Sequence, residues 1–316
     1  MKTSHVVCLL GAVALAMALG LACQSAEKTL PALPAGSAYL EQIDTEQYPP
    51  APAPAEAPLL RWDFSADRVY PYDFAQQVVM QSRMGGMFAR EQGGGSTQQM
   101  TGRGKLSLKS EGDQTARLVL EDLSLRVEMD LPGQDSPEVM ENTAPPMVVQ
   151  GIGEDGNMAV GNSSQRLLIR MLFPLPPEPL QPGDSVSVPS RMPFNVMGSV
   201  LHVTGSSDIT LDDYVDIDGR TCARLMTNID ISQLDVPQEM EGTYACRVKG
   251  ESVFYFDVED RHFVSGRLAL LMSIRADAPL PEKTLPAEAE KSDMPRRMTM
   301  VMDSDNLLTV DYTGDR

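Results

Sequence analysis

The chain has 316 residues, a formal net charge of −18 at pH 7, 42% hydrophobic residues and only 5% aromatic ones. A surplus of acid on this scale excludes electrostatic docking on nucleic acid or on anionic lipid, both of which need clustered Lys and Arg. The length is sufficient for a substantial buried core.

The amino terminus carries Lys2, then an uncharged apolar run over Val6–Leu21, interrupted by Cys8 and Gly11. The run is too short, and too closely followed by polar residues, to cross a bilayer as a helix. It ends in Leu19-Gly20-Leu21-Ala22-Cys23. This arrangement resembles the signal and lipobox of bacterial lipoproteins. The resemblance implies removal of residues 1–22, a diacylglyceryl group on the Cys23 thiol and a membrane partner through that anchor. Gln24 after the cysteine, in place of Asp, implies an outer-membrane address in the cell envelope, facing the periplasm or the cell surface. Gly20 departs from the lipobox, where leucine is commoner, and ordinary cleavage after Ala22 is the alternative. Two or more acyl chains would hold the protein firmly, at about 0.8 kcal/mol per buried CH₂.

Residues 23–58 include seven prolines with many alanines and acids, ending in Pro49-Pro50-Ala51-Pro52-Ala53-Pro54. Such a segment reads as a disordered tether, reaching on the order of 100 Å when extended at ~3.1 Å per residue. A short helix is expected around Ser37–Ile43.

From Leu60 the period is two. Trp62, Phe64, Tyr70, Tyr72, Phe74, Val78 and Met80 share one parity, as in strand with one buried face. A glycine-rich loop is expected over 85–104. Leu106 and Leu108 resume the alternation, and Glu111-Gly112-Asp113 makes a turn. Leu118 and Leu120 are in one phase, but Leu123, Leu125, Val127 and Met129 are in the other. A β-bulge near Glu121–Asp122 reconciles them. A loop over 131–146 leads to a strand at 147–153. Asn162 or Ser163 caps a short helix with Leu167, Leu168, Met171 and Leu172 on one face, stopped by Pro174.

Pro182-Gly183-Asp184 opens a second run of strands at 185–188, 199–204, 209–217 and 220–231, with Asp218-Gly219 as a hairpin turn. Strands at 252–258 and 268–274 follow. A Pro- and charge-rich excursion spans 277–297. Strands at 298–302 and 307–312 close the chain around a turn at 303–306. The fold class is mainly β: a curved antiparallel sheet or open, incomplete barrel with one short helix. Residues 59–316 form one domain with halves 59–173 and 174–316; two packed domains are the alternative. The early aromatic strand, the step into Pro182-Gly183-Asp184 and the hairpin over 253–274 resemble secreted β-rich bacterial lipoproteins. That resemblance implies a fold and no activity.

With Cys8 in the signal and Cys23 acylated, Cys222 and Cys246 remain as the pair available in an oxidising compartment, and a disulfide is expected. It would close a loop of about 25 residues and stabilise by ~3 kcal/mol. Their parities conflict, so the bridge requires a bulge or an irregular strand end; two free buried thiols are the alternative.

Few motifs carry chemistry. Gly151-Ile-Gly153-Glu-Asp-Gly156 matches a dinucleotide fingerprint, but the acids would repel phosphate and a strand follows in place of a helix. It reads as a hairpin turn. Asp212, Asp213, Asp216 and Asp218 lack EF-hand spacing and read as strand and turn acids. His202 and His262 sit apart with no zinc or triad signature. No cofactor, metal or catalytic residue is assigned. The chain has 20 methionines. Met298, Met300 and Met302 alternate on one strand face and, with Met272, are candidates to line an adaptable apolar site. A copper site on the same thioethers lacks a reinforcing His or Cys. The expected function is a non-enzymatic envelope binding module holding a lipophilic ligand or envelope component. The alternative is an adaptor that docks an envelope protein.

Overall fold

The computed structural model describes residues 37–44, 47–65, 67–86, 95–130, 136–158, 161, 163–196, 199–238, 240–279 and 297–314. The alternation anticipated from the sequence produces eleven strands. They are β1 (Val69–Gly86), β2 (Ser96–Gly112), β3 (Thr115–Asp130), β4 (Glu138–Thr143), β5 (Met147–Gly153) and β6 (Ser185–Val196). β7 (Ser199–Ile217), β8 (Arg220–Asp235), β9 (Thr243–Asp257), β10 (His262–Pro279) and β11 (Arg297–Tyr312) complete the set. Among the described residues one α-helix, α1, spans Ser163–Leu172.

All strands belong to one antiparallel sheet in the order β4-β3-β2-β1-β11-β10-β9-β8-β7-β6, with β5 also pairing β3. The sheet is not closed into a barrel. The two sequence halves are therefore halves of one sheet, joined where β1 pairs β11 from Tyr72–Tyr312 to Gly86–Met298. The expected bulge is present. Arg103 faces Ser124 but Lys105 faces Glu121, so β3 carries an extra residue, and Asp122 has φ +54°. Asp218 and Gly219 have φ +56° and +82°, the left-handed pair required by a two-residue hairpin.

Several expectations are corrected. Residues 96–104 are strand, not loop. Their inward positions are Gln98, Met100, Gly102 and Gly104, so the apolar period is missing. Glycine suits the crowding there: a Cβ on Gly104 would lie 3.0 Å from the Glu121 carbonyl oxygen at the bulge. Residues 138–143 are strand β4, exposed throughout. The turn at 303–306 is the middle of β11. Its polar side chains are satisfied across the sheet: Asp303 pairs with buried Arg275 at 2.7 Å, and Asn306 Nδ2 donates to the Leu270 carbonyl. The helix near Ser37 is a single 3₁₀ turn, Leu40–Gln42.

The tether expectation also narrows. Residues 37–51 lie against the sheet. Ser37 and the Ala38 amide bond Asp305, Ile43 packs on Ala269 and Leu307, and Asp44 pairs with Arg224 at 2.6 Å. Tyr48 meets Tyr255 edge-on at 5.0 Å. The Ala51 amide donates to Tyr214 and Pro49 accepts from Asp216, extending the edge of β7 where β6 has ended. The lipobox, Cys23 and residues 24–36 lie outside the described residues.

One end of the trough is plugged by Leu60, Trp62 and Phe64, which run alongside the sheet without joining it. Trp62 is fully buried and packs on Phe64, Tyr70, Phe173, Phe256 and Phe263 at 5.3–6.3 Å between centroids. Its backbone is held by a Trp62 N–H bond to Glu154 and by Arg261, which donates to its carbonyl. Trp62→Ala is expected to cost ~3–5 kcal/mol in urea unfolding, the usual range for deleting a buried aromatic. A loss below about 1 kcal/mol would mean that this plug lies outside the cooperative core.

Candidate ligand-binding concavity

The inner face of the sheet is set by strand parity. Even-numbered residues of β1, β2 and β11 and most of those of β9 and β10 point inward, as do odd-numbered residues of β8. After its bulge, β3 presents Leu123, Leu125 and Val127. α1 crosses this face, packing on β6 and β10. Its sequence explains the pose: Leu167, Leu168, Met171 and Leu172 are buried, while Arg170 turns out to bond the Asn157 carboxamide oxygen at 2.7 Å. Pro174 and the prolines beyond it end the helix.

Beneath α1 lies an apolar void of ≈ 40 Å³, lined by Leu168, Met171, Met192, Leu270, Met272 and Leu308 among others. Its polar lining is Gln76 and Asn306. Asn306 is spent on Leu270 and on Ser304 Oγ at 2.7 Å. On the other side of α1 a second void of ≈ 60 Å³ meets Thr227, Ser207 and Ser252. Both are small beside ligand pockets, which run to ~300–1,000 Å³. An acyl chain would have to displace side chains or α1 itself.

The four methionines singled out from the sequence share this inner face. Met302 is buried beside Ile274, Met300 sits beside Ala276 and Leu201, and Met298 faces Ala278. Met272 reaches the void itself. Sequence reasoning missed Met171 and Met192, which share the same lining; their signal is the same thioether enrichment, but on the helix and on an edge strand. At the β4 flank the face stays open: Met140, next to Val127 in register, is 44% exposed.

The expected disulfide does not form. Cys222 and Cys246 are free, buried thiols. Cys222 faces Asp257 across β8–β9, and Cys246 lies eleven positions back along β9. That separation is on the order of 35 Å at an antiparallel rise of ~3.4 Å per residue, against the roughly 7 Å limit for bridged Cα atoms. They also belong to different apolar clusters on opposite faces, Cys222 with Val215 and Tyr255, Cys246 with Val248 and Ile274. The parity conflict was real. Burial pushes both thiols up to about 12.

The remaining motifs resolve into structure. Gly151 and Gly156 have φ +71°, and the Gly153 amide donates to Asn157, closing a hairpin turn. Asp212 pairs with Arg224 at 2.7 Å, and Asp216 accepts the Gly219 amide. His202 is half-buried in β7, opposite Asp235. His262 was read as an ordinary strand or turn residue, yet it is buried beside Asp257, Asp260 and Arg220. The Asp-x-x-Asp-x-His spacing over 257–262 was the available signal.

No protein-family profile and no curated protein matches the chain. Among solved structures, it is similar to a chain described as "Lipid-protein interactions in lipovitellin", at 10% identity and TM-score 0.37, over 78% of this chain. The chain spans 25% of the length of that protein. It is also similar to the "InvG secretin domain beta-barrel" of the Salmonella SPI-1 injectisome, at 11% identity and TM-score 0.17, over 79% of this chain and 64% of that one. Both scores are too low to carry an argument about function.

Native protein is expected to react with no thiol reagent at Cys222 or Cys246, and both should titrate once guanidinium unfolds the chain. A non-reducing mass two units lower, with no thiol titrating after unfolding, would restore the bridge.

Proposed function

We propose that the chain is a lipid-anchored envelope protein and a non-enzymatic binder, whose half-open sheet takes a lipophilic ligand on its concave face. The observation that carries this reading is the apolar void under α1. Its lining is mostly leucines and three flexible thioethers, Met171, Met192 and Met272, and it is roofed by one ten-residue helix. Methionine side chains re-pack at little cost, so a small void lined by them can widen around a flexible chain. Sheet strands cannot separate so readily, because each is tied to its neighbours over its whole length. α1 is the element able to move. The anchor at Cys23 would place such a site beside membrane lipid.

A second reading, docking of an envelope protein, is favoured by one observation. The sheet has two ends. β6 carries Pro189 and Pro193, which blunt an edge by removing donors. β4 has no proline, is fully exposed, and shows Val139 and Met140 at 47% and 44% exposure. An unprotected edge of this kind can accept a strand.

The ligand-binding reading predicts saturable uptake of a fluorescent fatty acid by the full chain. Met272→Trp, which fills the void, should weaken it at least tenfold, and Met171→Ala, which enlarges the void, should strengthen it. Equal affinities in all three proteins, or no saturable uptake, would reject the reading. Mass spectrometry of the amino-terminal peptide from membranes should find acylated Cys23; an unmodified Cys23 would reject the anchor alone.

A further inference from the structure

A buried cluster at the β9–β10 hairpin lies outside the concave site. We propose that Asp257, Asp260 and His262 form a divalent transition-metal site of the Zn²⁺ class, in which the ion takes the place held by the Arg220 guanidinium.

The hairpin turn builds the site. Asp257 Oδ1 accepts the Glu259 and Asp260 amides at 2.9 and 3.0 Å, and the Arg261 amide closes the turn on the Asp257 carbonyl. These bonds fix the carboxylate and leave Oδ2 to face the cluster. Asp257 is 2% exposed and His262 3%. One ligating atom from each of Asp257, Asp260 and His262 lies within 4.8 Å of the others. A carboxylate pair with an imidazole is a donor set that zinc takes.

The cation now in place fits the cluster poorly. Arg220 Nε stands 3.8 Å from Asp257 Oδ2, a loose contact for a carboxylate this deeply buried. Arg220 Nη1 is 3.4 Å from His262 Nε2. Arginine can only donate, so Nε2 must present its lone pair and the ring proton must sit on Nδ1. Nδ1 is buried and makes no well-aligned hydrogen bond, the Asp260 backbone being the neighbour that acts on it. A neutral imidazole with a free lone pair is the form that binds metal. The imidazole is steadied by ring contacts with Tyr312 at 4.4 Å and Tyr70 at 5.3 Å. Arg220 has somewhere to go: its guanidinium already lies 5.9 Å from the Tyr312 ring, where cation–π attraction can hold it.

Competition between the guanidinium and the ion gives the proposal its test. Zinc chloride is titrated calorimetrically into the full chain and three variants. Arg220→Gln removes the competing cation and should bind one Zn²⁺ per chain at least tenfold more tightly than the parent. Adding Asp260→Asn, an exposed change that leaves the fold intact, should reverse that gain by at least tenfold, as should His262→Gln. The melting temperature of Arg220→Gln should rise with added Zn²⁺. No one-to-one binding by Arg220→Gln, or binding that survives both Asp260→Asn and His262→Gln, overturns the proposal.

Discussion

Eleven antiparallel strands in one unclosed sheet curl into a trough with an apolar inner face, and the rest of the molecule answers the cost of leaving that face wet. A closed barrel would cover itself. An open sheet needs other elements to do so. Trp62 and its aromatic neighbours seal one end, α1 roofs the middle, and methionines of β10 and β11 line the far side. The amino-terminal strap meanwhile binds the outer face through Ile43, Asp44 and Tyr48.

The outer face is held by charge as well as by apolar contact. Arg275 is buried among β10 and β11 and takes Asp303 with two nitrogens, while donating to the Ile274 and Met302 carbonyls. Removing one member would strand a buried charge, so the pair fixes the register of the two central strands more than it adds stability. The strap ends nearby, with Ser37 and the Ala38 amide on Asp305.

Much of this was legible in the sequence, for physical reasons. The phase slip between Leu120 and Leu123 could only be a bulge, because a strand cannot change faces otherwise. Asp218-Gly219 could only be a tight hairpin. What stayed hidden was every place where packing replaced the apolar period. β2 puts Gly102 and Gly104 inward because Leu125 and the bulge occupy that space. β11 carries Asp303 to Asn306 through the sheet because β10 satisfies Asp303 and Asn306, the strap satisfies Asp305, and Ser304 accepts from Asn306. The strap looked like a linker because its few apolar residues, Tyr39, Leu40, Ile43 and Tyr48, are spaced among polar and acidic residues and flanked by prolines. Cys222 is out of phase with the apolar residues of its strand while Cys246 is in phase with Val248, so the two thiols point to opposite faces, a constraint that outweighs the redox argument for pairing them. The cluster around His262 stayed hidden because Asp-x-x-Asp-x-His over 257–262 matches no common metal motif and the burial of Asp257 and His262 comes from the fold.

The ligand-binding proposal makes α1 a movable roof over an otherwise fixed sheet. Hydrogen–deuterium exchange, with and without a long-chain fatty acid, tests it most directly. The account predicts that residues 163–172 exchange much faster than β9, β10 and β11, and that the fatty acid slows the helix and its lining strands selectively. Helix protection equal to that of the central strands, unchanged by the fatty acid, would contradict it.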